Sequence, residues 1–239
     1  MENTGKAEMK GKLDTSGYKR ILQLVVTTAA VFLVIFVPAG TLDWPMAWAY
    51  MGIVAAAYVF MGFVLYRLNP QIINERGKSH RDAKTFDRVL EPIGLVLMIA
   101  MYVTAGLDAR RFMWSAPMPV GLIGLGIGLF ILSVVITAWT VSSNPFFETR
   151  VRIQDDRGHK VCDRGPYAFL RHPGYVGFII MNWSAPLILE SWWAMVPAGL
   201  STVLIVVRTY LEDRTLKREL SGYPEYSKRV RYRLVPFVF

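Results

Sequence analysis

The stretch RGPYAFLRHPGYVGF, residues 164–178, brings anion-binding residue types to what reads as the start of a helix. His172 precedes Pro173, and a proline disfavours helical backbone in the residue before it. Proline itself suits the first turn of a helix, because its missing N–H would have no partner there. We therefore expect His172 to cap a helix that begins at Pro173. The free N–H groups at such a helix start, with the positive end of its dipole, favour a carboxylate or a phosphate.

A second polar group lies near the end of the last apolar run and consists of Arg208, Glu212 and Asp213. Arg208 and Glu212 are four residues apart, so they share one face of a helix. Ionisable residues at membrane depth are costly and tend to mark functional sites. Each group alone also has a structural explanation, as a helix cap or as ordinary interfacial charge. Their common depth favours a shared pocket.

The elements that must position these residues are long apolar helices. The chain has 239 residues, of which 53% are hydrophobic and only 19% are charged. A membrane-spanning helix needs about 20 mostly apolar residues. The sequence predicts an all-α integral membrane protein with about six transmembrane helices, or five if one element is only interfacial. The apolar runs are 21–38, 44–66, 89–107, 119–141, 174–189 and 192–207.

The distribution of positive charge predicts which way the chain crosses the membrane. Of 27 lysines and arginines, all but Arg110 and Arg111 fall in segments on one side of the predicted helices. Positive residues in short loops favour the cytoplasmic face. We therefore expect a multi-pass protein with both termini, the long loops and the active site on the cytoplasmic side. The net charge of +9 is then a topology signal, with some attraction to lipid headgroups, and indicates no nucleic-acid partner.

The sequence divides into three parts. Residues 1–17 form a polar cytoplasmic tail, 18–141 carry four transmembrane helices with a cytoplasmic loop at 67–88, and 142–239 carry both polar groups. Within the last part we expect a small β-hairpin around 155–158, a helical hairpin, and a C-terminal amphipathic helix over 211–234 interrupted at Gly222 and Pro224.

Two further patterns limit the chemistry. The single cysteine, Cys162, excludes an intrachain disulfide, and the three histidines have no spacing typical of a metal site, so we expect no metal. The glycines of 121–128 lie inside an apolar helix, where small residues let helices approach closely. A nucleotide-binding loop would instead follow a strand.

Three motifs in a fixed order carry a resemblance to a known family. GPYAFLRHPGYVG (165–177), RTYLED (208–213) and GYPEYSKRVRYRLVP (222–236) resemble the isoprenylcysteine carboxyl methyltransferase family and related membrane phospholipid methyltransferases. The resemblance covers roughly residues 142–239. It implies transfer of a methyl group from S-adenosylmethionine within the membrane, and marks 142–239 as the catalytic region.

The resemblance also implies roles for individual residues. Arg208 and Glu212 match the family's catalytic Arg-xxx-Glu, which serves the reacting end of the substrate. Asp213 departs from the family's glutamate pair, so the resemblance does not decide which acidic residue contacts the cofactor. The residues implied in cofactor binding are His172, Pro173, Tyr175, Gly177, Glu212 and Asp213.

The expected acceptor is lipophilic and reaches the site from the bilayer. A carboxylate acceptor is already ionised and needs alignment more than a base, and Arg208 can hold it bidentately. An amine acceptor must first lose a proton, for which Glu212 is the candidate base. Candidate residues along the lipophilic part of the substrate are Phe178, Met181 and Trp183.

Other functions are compatible with parts of the sequence. A phospholipid or amine N-methyltransferase fits the same residues. A membrane sterol-type reductase would use NADPH, whose extra phosphates the basic loops can accommodate. A transporter or structural membrane protein would carry polar residues in the middle of several helices, and the runs 89–107 and 119–141 offer few.

Overall fold

The structure is a computed structural model that describes residues 14–68, 73–74, 84–148, 150–236 and 238. The predicted tail 1–17 and loop 67–88 therefore lie largely outside the described residues. Over the described residues the chain forms α-helices and short helical turns, which confirms the predicted all-α class. The α-helices are α1 (Thr15–Ala39), α2 (Pro45–Leu68), α3 (Thr85–Gly106), α4 (Val120–Ser143), α5 (Pro173–Ile188), α6 (Met195–Glu219) and α7 (Tyr223–Arg229).

Of the helices that the structure describes, five are long and apolar enough to span a membrane: α1, α2, α3, α4 and α6. Helix α5, the fifth of the six predicted spans, has 16 residues. At 1.5 Å per residue it is about 24 Å long, shorter than the roughly 30 Å of a bilayer's hydrocarbon core. By length and composition, the structure supports the five-span alternative. Helix α5 is enclosed among its neighbours, with Ser184, Ala185 and Ile188 almost wholly buried.

The α5–α6 hairpin is fixed at the end of the protein away from the polar motifs. A π-helical turn, Leu107–Arg111, extends α3 and carries the fully buried Asp108. Asp108 accepts hydrogen bonds from Ser115 (2.7 Å), Ser191 (2.6 Å) and the backbone N–H of Trp193 (3.2 Å). These bonds tie α3 to the turn between α5 and α6, so the two helices that carry the polar groups are held in register.

Glycines bring α4 and α5 close together. A Cβ atom added at Gly126 of α4 would lie 2.7 Å from the Cβ of Leu187, and one at Gly177 of α5 would lie 2.6 Å from the Oγ1 of Thr137. The predicted packing role of the glycines in 121–128 is confirmed at Gly126. At the other three, an added Cβ would meet nothing within 4 Å.

Helix α6 continues beyond the predicted end of its apolar run at Val207, to Glu219. It therefore carries RTYLED as helix. The predicted interruption of the C-terminal pattern is confirmed: Gly222 adopts a left-handed φ of 81° and α7 starts directly after it. The described residues beyond Arg229 are not helical, so the predicted helix over 211–234 ends earlier than expected.

The predicted β-hairpin around 155–158 is wrong. Within the described part of 149–162 there is no strand, and Asp155–Arg157 form a 3-10 turn. The reason is that both faces of this segment are buried, with Val151 6% exposed on one and Arg152 6% and Gln154 2% exposed on the other. Their polar groups bond locally instead of leaving a strand face to water: Arg152 pairs with Glu148 (2.9 Å) and Gln154 donates to the backbone oxygen of Phe146 (2.7 Å).

Candidate functional site

His172 occupies the predicted N-cap position of α5, and Pro173 is the first helical residue. The imidazole points at the carboxylates of α6. Its Nδ1 lies 3.8 Å from Glu212 and its Nε2 lies 3.6 Å from Asp213. The two polar groups that the sequence singled out are therefore in contact.

Asp213 is the centre of a buried ionic network and is 1% exposed. Three cationic side chains surround it: Arg171 at 2.8 Å, Arg233 at 3.0 Å and Lys217 at 3.3 Å. Tyr223 of α7 donates a further hydrogen bond of 3.0 Å. Because these cations neutralise its charge, Asp213 is placed to hold the ionic network together and has no charge left for a cationic ligand.

Tyr223 keeps its proton in this network. Burial raises the pKa of the Tyr223 hydroxyl far above its ordinary value, and the neighbouring Asp213 carboxylate raises it further. The hydroxyl also lies 3.4 Å from Nε2 of His172. It therefore remains a donor that fixes the aspartate beside the histidine.

The C-terminal segment closes over the same place. The backbone N–H groups of Arg171 and His172 donate to the oxygens of Tyr232 and Arg233, both at 3.0 Å. Tyr226 donates to the backbone oxygen of Tyr167 at 2.7 Å. The three sequence motifs thus lie in contact with one another. Their order along the chain alone does not predict this contact.

Glu212, unlike its neighbour Asp213, borders a cavity. Its side chain is 21% exposed, lines a large cavity and accepts a hydrogen bond from the Tyr175 hydroxyl. The Tyr175 ring stacks on the His172 ring, with centroids 5.8 Å apart. Of the two acidic residues, Glu212 is the one placed to contact a ligand in the cavity.

Arg208 is held by a residue that the sequence reading missed. Asp87, at the start of α3, accepts hydrogen bonds from Nε (2.7 Å) and Nη2 (3.0 Å) of Arg208. Asp87 is 1% exposed and also accepts from the backbone N–H of Val151 at 2.8 Å. The guanidinium lies 5.5 Å from the centroid of the Tyr175 ring. Asp87 lies in a run of mixed charges, and nothing in that local sequence indicates a functional residue.

The cavity has a volume of about 950 Å³ and runs from this polar cluster into the space between the long helices. Among the predicted site residues, those lining it are His172, Tyr175, Phe178, Met181, Arg208 and Glu212. Its inner part is lined by apolar and aromatic side chains, among them Met101, Phe130 and Ala185. One end therefore suits a polar ligand and the other a lipophilic chain.

Four predicted site residues do not line this cavity: Pro173, Gly177, Trp183 and Asp213. Pro173 starts α5, and Gly177 packs against Thr137 of α4. Trp183 donates from Nε1 to Thr202 of α6 at 3.0 Å. Each of these residues contributes to helix packing or to the ionic network. In the described part of the chain, no three His, Cys, Asp or Glu residues cluster as metal ligands.

Residues 125–218 match the model of the isoprenylcysteine carboxyl methyltransferase (ICMT) family. This region contains the first two motifs and every predicted site residue. The similarity to the family is therefore shown over these residues. The predicted resemblance and the predicted class, an integral membrane methyltransferase, are thereby confirmed.

The fold agrees with this assignment. A solved structure of the eukaryotic intramembrane Ras methyltransferase ICMT matches with a TM-score of 0.54 and 20% sequence identity. The match covers 88% of this chain and 75% of that one. No curated protein sequence matches the chain. At this identity the likeness shows a shared ICMT fold, and the roles of individual residues rest on the geometry described above.

Proposed function

We propose that the protein transfers the methyl group of S-adenosylmethionine to the carboxylate of a lipophilic acceptor at the membrane. The observation that carries the proposal is a single cavity with an ionic end at Glu212 and His172 and an apolar end among the transmembrane helices. The family match supports the reaction, since the family is named for the carboxyl group of isoprenylcysteine.

The residues at the ionic end fit the cofactor. The negative charge of Asp87 is balanced by Arg208. The negative charge of Asp213 is balanced by the three cationic side chains around it. Glu148 also lines the cavity but pairs with Arg152 at 2.9 Å. Glu212 lies beside the aromatic rings of Tyr175 and His172 and is the carboxylate available to a cation there. A carboxylate and aromatic faces are a suitable environment for a sulfonium cation. When bound, S-adenosylmethionine supplies an electrophilic methyl group.

The protein contributes mainly alignment and exclusion of water. Tyr175 orients Glu212 by its hydrogen bond, and Asp87 holds Arg208 against the same ring. Because the Nε–Nη2 edge of Arg208 is engaged by Asp87, we assign Arg208 to attract and orient an anionic acceptor by its charge, in place of the expected bidentate clamp. An ionised carboxylate needs no base, so proximity is the main contribution.

The lipophilic part of the acceptor follows the cavity inward. Phe178 and Met181 lie on the face of α5 that borders it. Trp183 is turned toward α6 and does not serve this role. We propose that a lipidated substrate or a lipophilic small molecule enters from the bilayer, and that the ionic end and both termini are cytoplasmic. The charge distribution supports this sidedness, and labelling of terminal tags in sealed vesicles tests it.

Calorimetric binding tests the cofactor assignment. S-adenosylmethionine and S-adenosylhomocysteine are titrated into the detergent-solubilised protein, His172→Ala, Glu212→Gln and the control Glu219→Gln. Glu219 lies on the same helix and pairs with Lys84 at 2.6 Å in an exposed position. We expect saturable binding by the wild type and the control, and at least tenfold weaker binding by the two site variants.

Methyl transfer tests the acceptor class. Tritiated S-adenosylmethionine is incubated with the protein and N-acetyl-S-farnesylcysteine, hexadecanoate or phosphatidylethanolamine. Base-labile methyl esters on either carboxylate support the proposal. Base-stable label on phosphatidylethanolamine alone would overturn it in favour of N-methylation. Absence of cofactor binding by folded protein would reject methyl transfer, and NADPH is then the next ligand to titrate.

A further inference from the structure

Two tyrosines meet at the inner end of the cavity, far from the ionic cluster. The hydroxyls of Tyr50 on α2 and Tyr102 on α3 are 2.7 Å apart. The two residues are 2% and 8% exposed, and both line the cavity. Around them the cavity is apolar, with Met101 and Phe130 among its lining residues. The pair is thus a polar point in a largely apolar part of the cavity.

The pair lies a full lipid-chain length from the reacting end. Fifteen residues of α3 separate Asp87, which holds Arg208, from Tyr102. At 1.5 Å per residue of helix this separation is about 22 Å. An acceptor whose carboxylate lies near Arg208 and whose chain fills the cavity would bring its far end to the tyrosines.

The hydroxyl pair has hydrogen-bonding capacity left over. Two tyrosine hydroxyls carry two O–H donors, and their mutual bond uses one. Among the residues that the structure describes, neither hydroxyl makes another hydrogen bond. One buried donor therefore remains available, and a buried donor without an acceptor is destabilising. A bound oxygen atom at this place would satisfy it.

A purely structural role accounts for these residues less well. Hydrogen bonds between polar side chains do join transmembrane helices. However, α2 and α3 make almost no direct contact over their described residues, while α3 packs on α1 and α6. Both tyrosines line the cavity, so the hydroxyl pair lies beside the space that a ligand would fill.

We propose that Tyr50 and Tyr102 form a polar subsite that binds an oxygen atom, as hydroxyl or carbonyl, at the far end of the acceptor chain. The inference rests on the proposed function for the identity of the reacting end. The preferred acceptor is then a long-chain carboxylate with a second, oxygen-bearing group about one cavity length away. A plain hydrocarbon tail lacks the group that this subsite recognises.

Equilibrium binding without cofactor tests the subsite independently of catalysis. The full chain in lipid nanodiscs is titrated with hexadecanoate and with ω-hydroxyhexadecanoate, followed by ω-hydroxy acids of twelve to eighteen carbons. We expect the ω-hydroxy acid of matching length to bind roughly three- to tenfold more tightly than the plain acid, the effect of one net hydrogen bond. Because the distance is fixed, the preference should peak at one chain length.

The variant that tests the assignment is Tyr50→Phe/Tyr102→Phe, with each single substitution beside it. We expect the double variant to lose the preference for the ω-hydroxy acid while keeping its affinity for hexadecanoate. Each single variant retains one hydroxyl and part of the preference. Tyr18→Phe on α1, an exposed tyrosine that does not line the cavity, is the control. The thermal unfolding midpoint shows that each variant is folded.

The outcomes separate this inference from the proposed function. Equal binding of both acids by the wild type, or a preference that survives in the folded double variant, overturns the subsite even if methyl transfer occurs. A preference lost only in the tyrosine variants supports the subsite even if no methyl transfer is detected.

Discussion

Asp87 on α3 accepts two hydrogen bonds from Arg208 on α6, of 2.7 and 3.0 Å, although the two residues are 121 positions apart in the sequence. Asp87 also accepts from the backbone of Val151. One buried carboxylate therefore joins α3, α6 and the segment that leads to His172. We infer that Asp87 is a positioning residue for Arg208.

Replacing this carboxylate should impair turnover more than cofactor binding. In Asp87→Asn, Arg208 loses an ionised partner and can leave its place beside Tyr175. We expect kcat/KM for the acceptor to fall at least tenfold, with a change below threefold in the dissociation constant of S-adenosylmethionine. Steady-state kinetics and calorimetry measure the two quantities.

The matched control for Asp87 is Glu91→Gln, one helical turn further along α3. Glu91 pairs with Arg150 at 2.9 Å, but both side chains are well exposed. Exposed ion pairs contribute little. We expect near wild-type kinetics from the control. Equal losses of cofactor affinity, turnover and thermal stability in Asp87→Asn would show a structural role only.

Neighbouring acidic residues on α6 should have different phenotypes. Asp213 is buried among Arg171, Arg233 and Lys217, so Asp213→Asn leaves buried positive charge uncompensated. Removing one partner of a buried ion pair costs about 3–5 kcal/mol. We expect a large drop in the thermal unfolding midpoint. Glu212→Gln should keep its midpoint and lose cofactor affinity.

Thermal unfolding in detergent and calorimetric titration of the two variants decide this point. A stable Asp213→Asn that fails to bind S-adenosylmethionine would identify Asp213 as a direct ligand. The roles assigned to the two acidic residues would then be reversed.

Local rules predicted part of this site well. The His172–Pro173 sequence fixed the start of α5, and the four-residue spacing placed Arg208 and Glu212 on one face of α6. Both features depend on residues close together in the chain. Asp87 was missed because its importance comes from a contact 121 residues away, which neither spacing nor composition encodes.

Orientation about a helix axis was the weaker part of the prediction. Gly177, Phe178, Met181 and Trp183 all lie on α5, and the sequence assigned every one to the ligand pocket. The structure divides them, because the packing of α5 between α4 and α6 decides which face borders the cavity. The wrong prediction of a β-hairpin has a related cause. The alternation of polar and apolar residues predicted that Arg152 and Gln154 face water, and the structure buries both.

Gly177 should be sensitive to size because of helix packing. A Cβ there would lie 2.6 Å from Oγ1 of Thr137 and 3.3 Å from the backbone oxygen of Ser133. We expect Gly177→Ala to lower the thermal unfolding midpoint by several degrees, as overpacking typically costs about 1–3 kcal/mol. Gly128→Ala on α4, where an added Cβ meets nothing within 4 Å, is the control.

The same pair of variants separates packing from ligand contact. If Gly177 only packs, the folded fraction of Gly177→Ala should bind S-adenosylmethionine with an affinity within about threefold of wild type. The double variant Gly177→Ala/Thr137→Ala, which removes the clashing hydroxyl, should recover part of the lost stability. Failure of this rescue together with lost cofactor affinity would place Gly177 at the ligand.

Cys162 provides a single chemical probe beside the ionic end of the cavity. It lines the cavity, and its thiol lies 3.3 Å from the backbone oxygen of Ser143. Burial raises the pKa of the Cys162 thiol above its ordinary value. Since the thiolate is the nucleophile, a raised pKa leaves less of it at neutral pH. We expect slow alkylation by iodoacetamide at pH 7 and a rate that climbs with pH beyond the range of a free thiol.

Intact-protein mass spectrometry measures the alkylation of Cys162, the sole cysteine, across a pH series. The comparison is Cys162→Ser/Glu225→Cys, which places a thiol on the exposed face of α7. This control should react faster at pH 7 and reach half its maximal rate at lower pH. Saturating S-adenosylmethionine should slow the reaction of Cys162 and leave that of the control unchanged, because only Cys162 borders the cavity. Equal rates and equal pH midpoints for the two thiols would contradict the partly buried environment of Cys162.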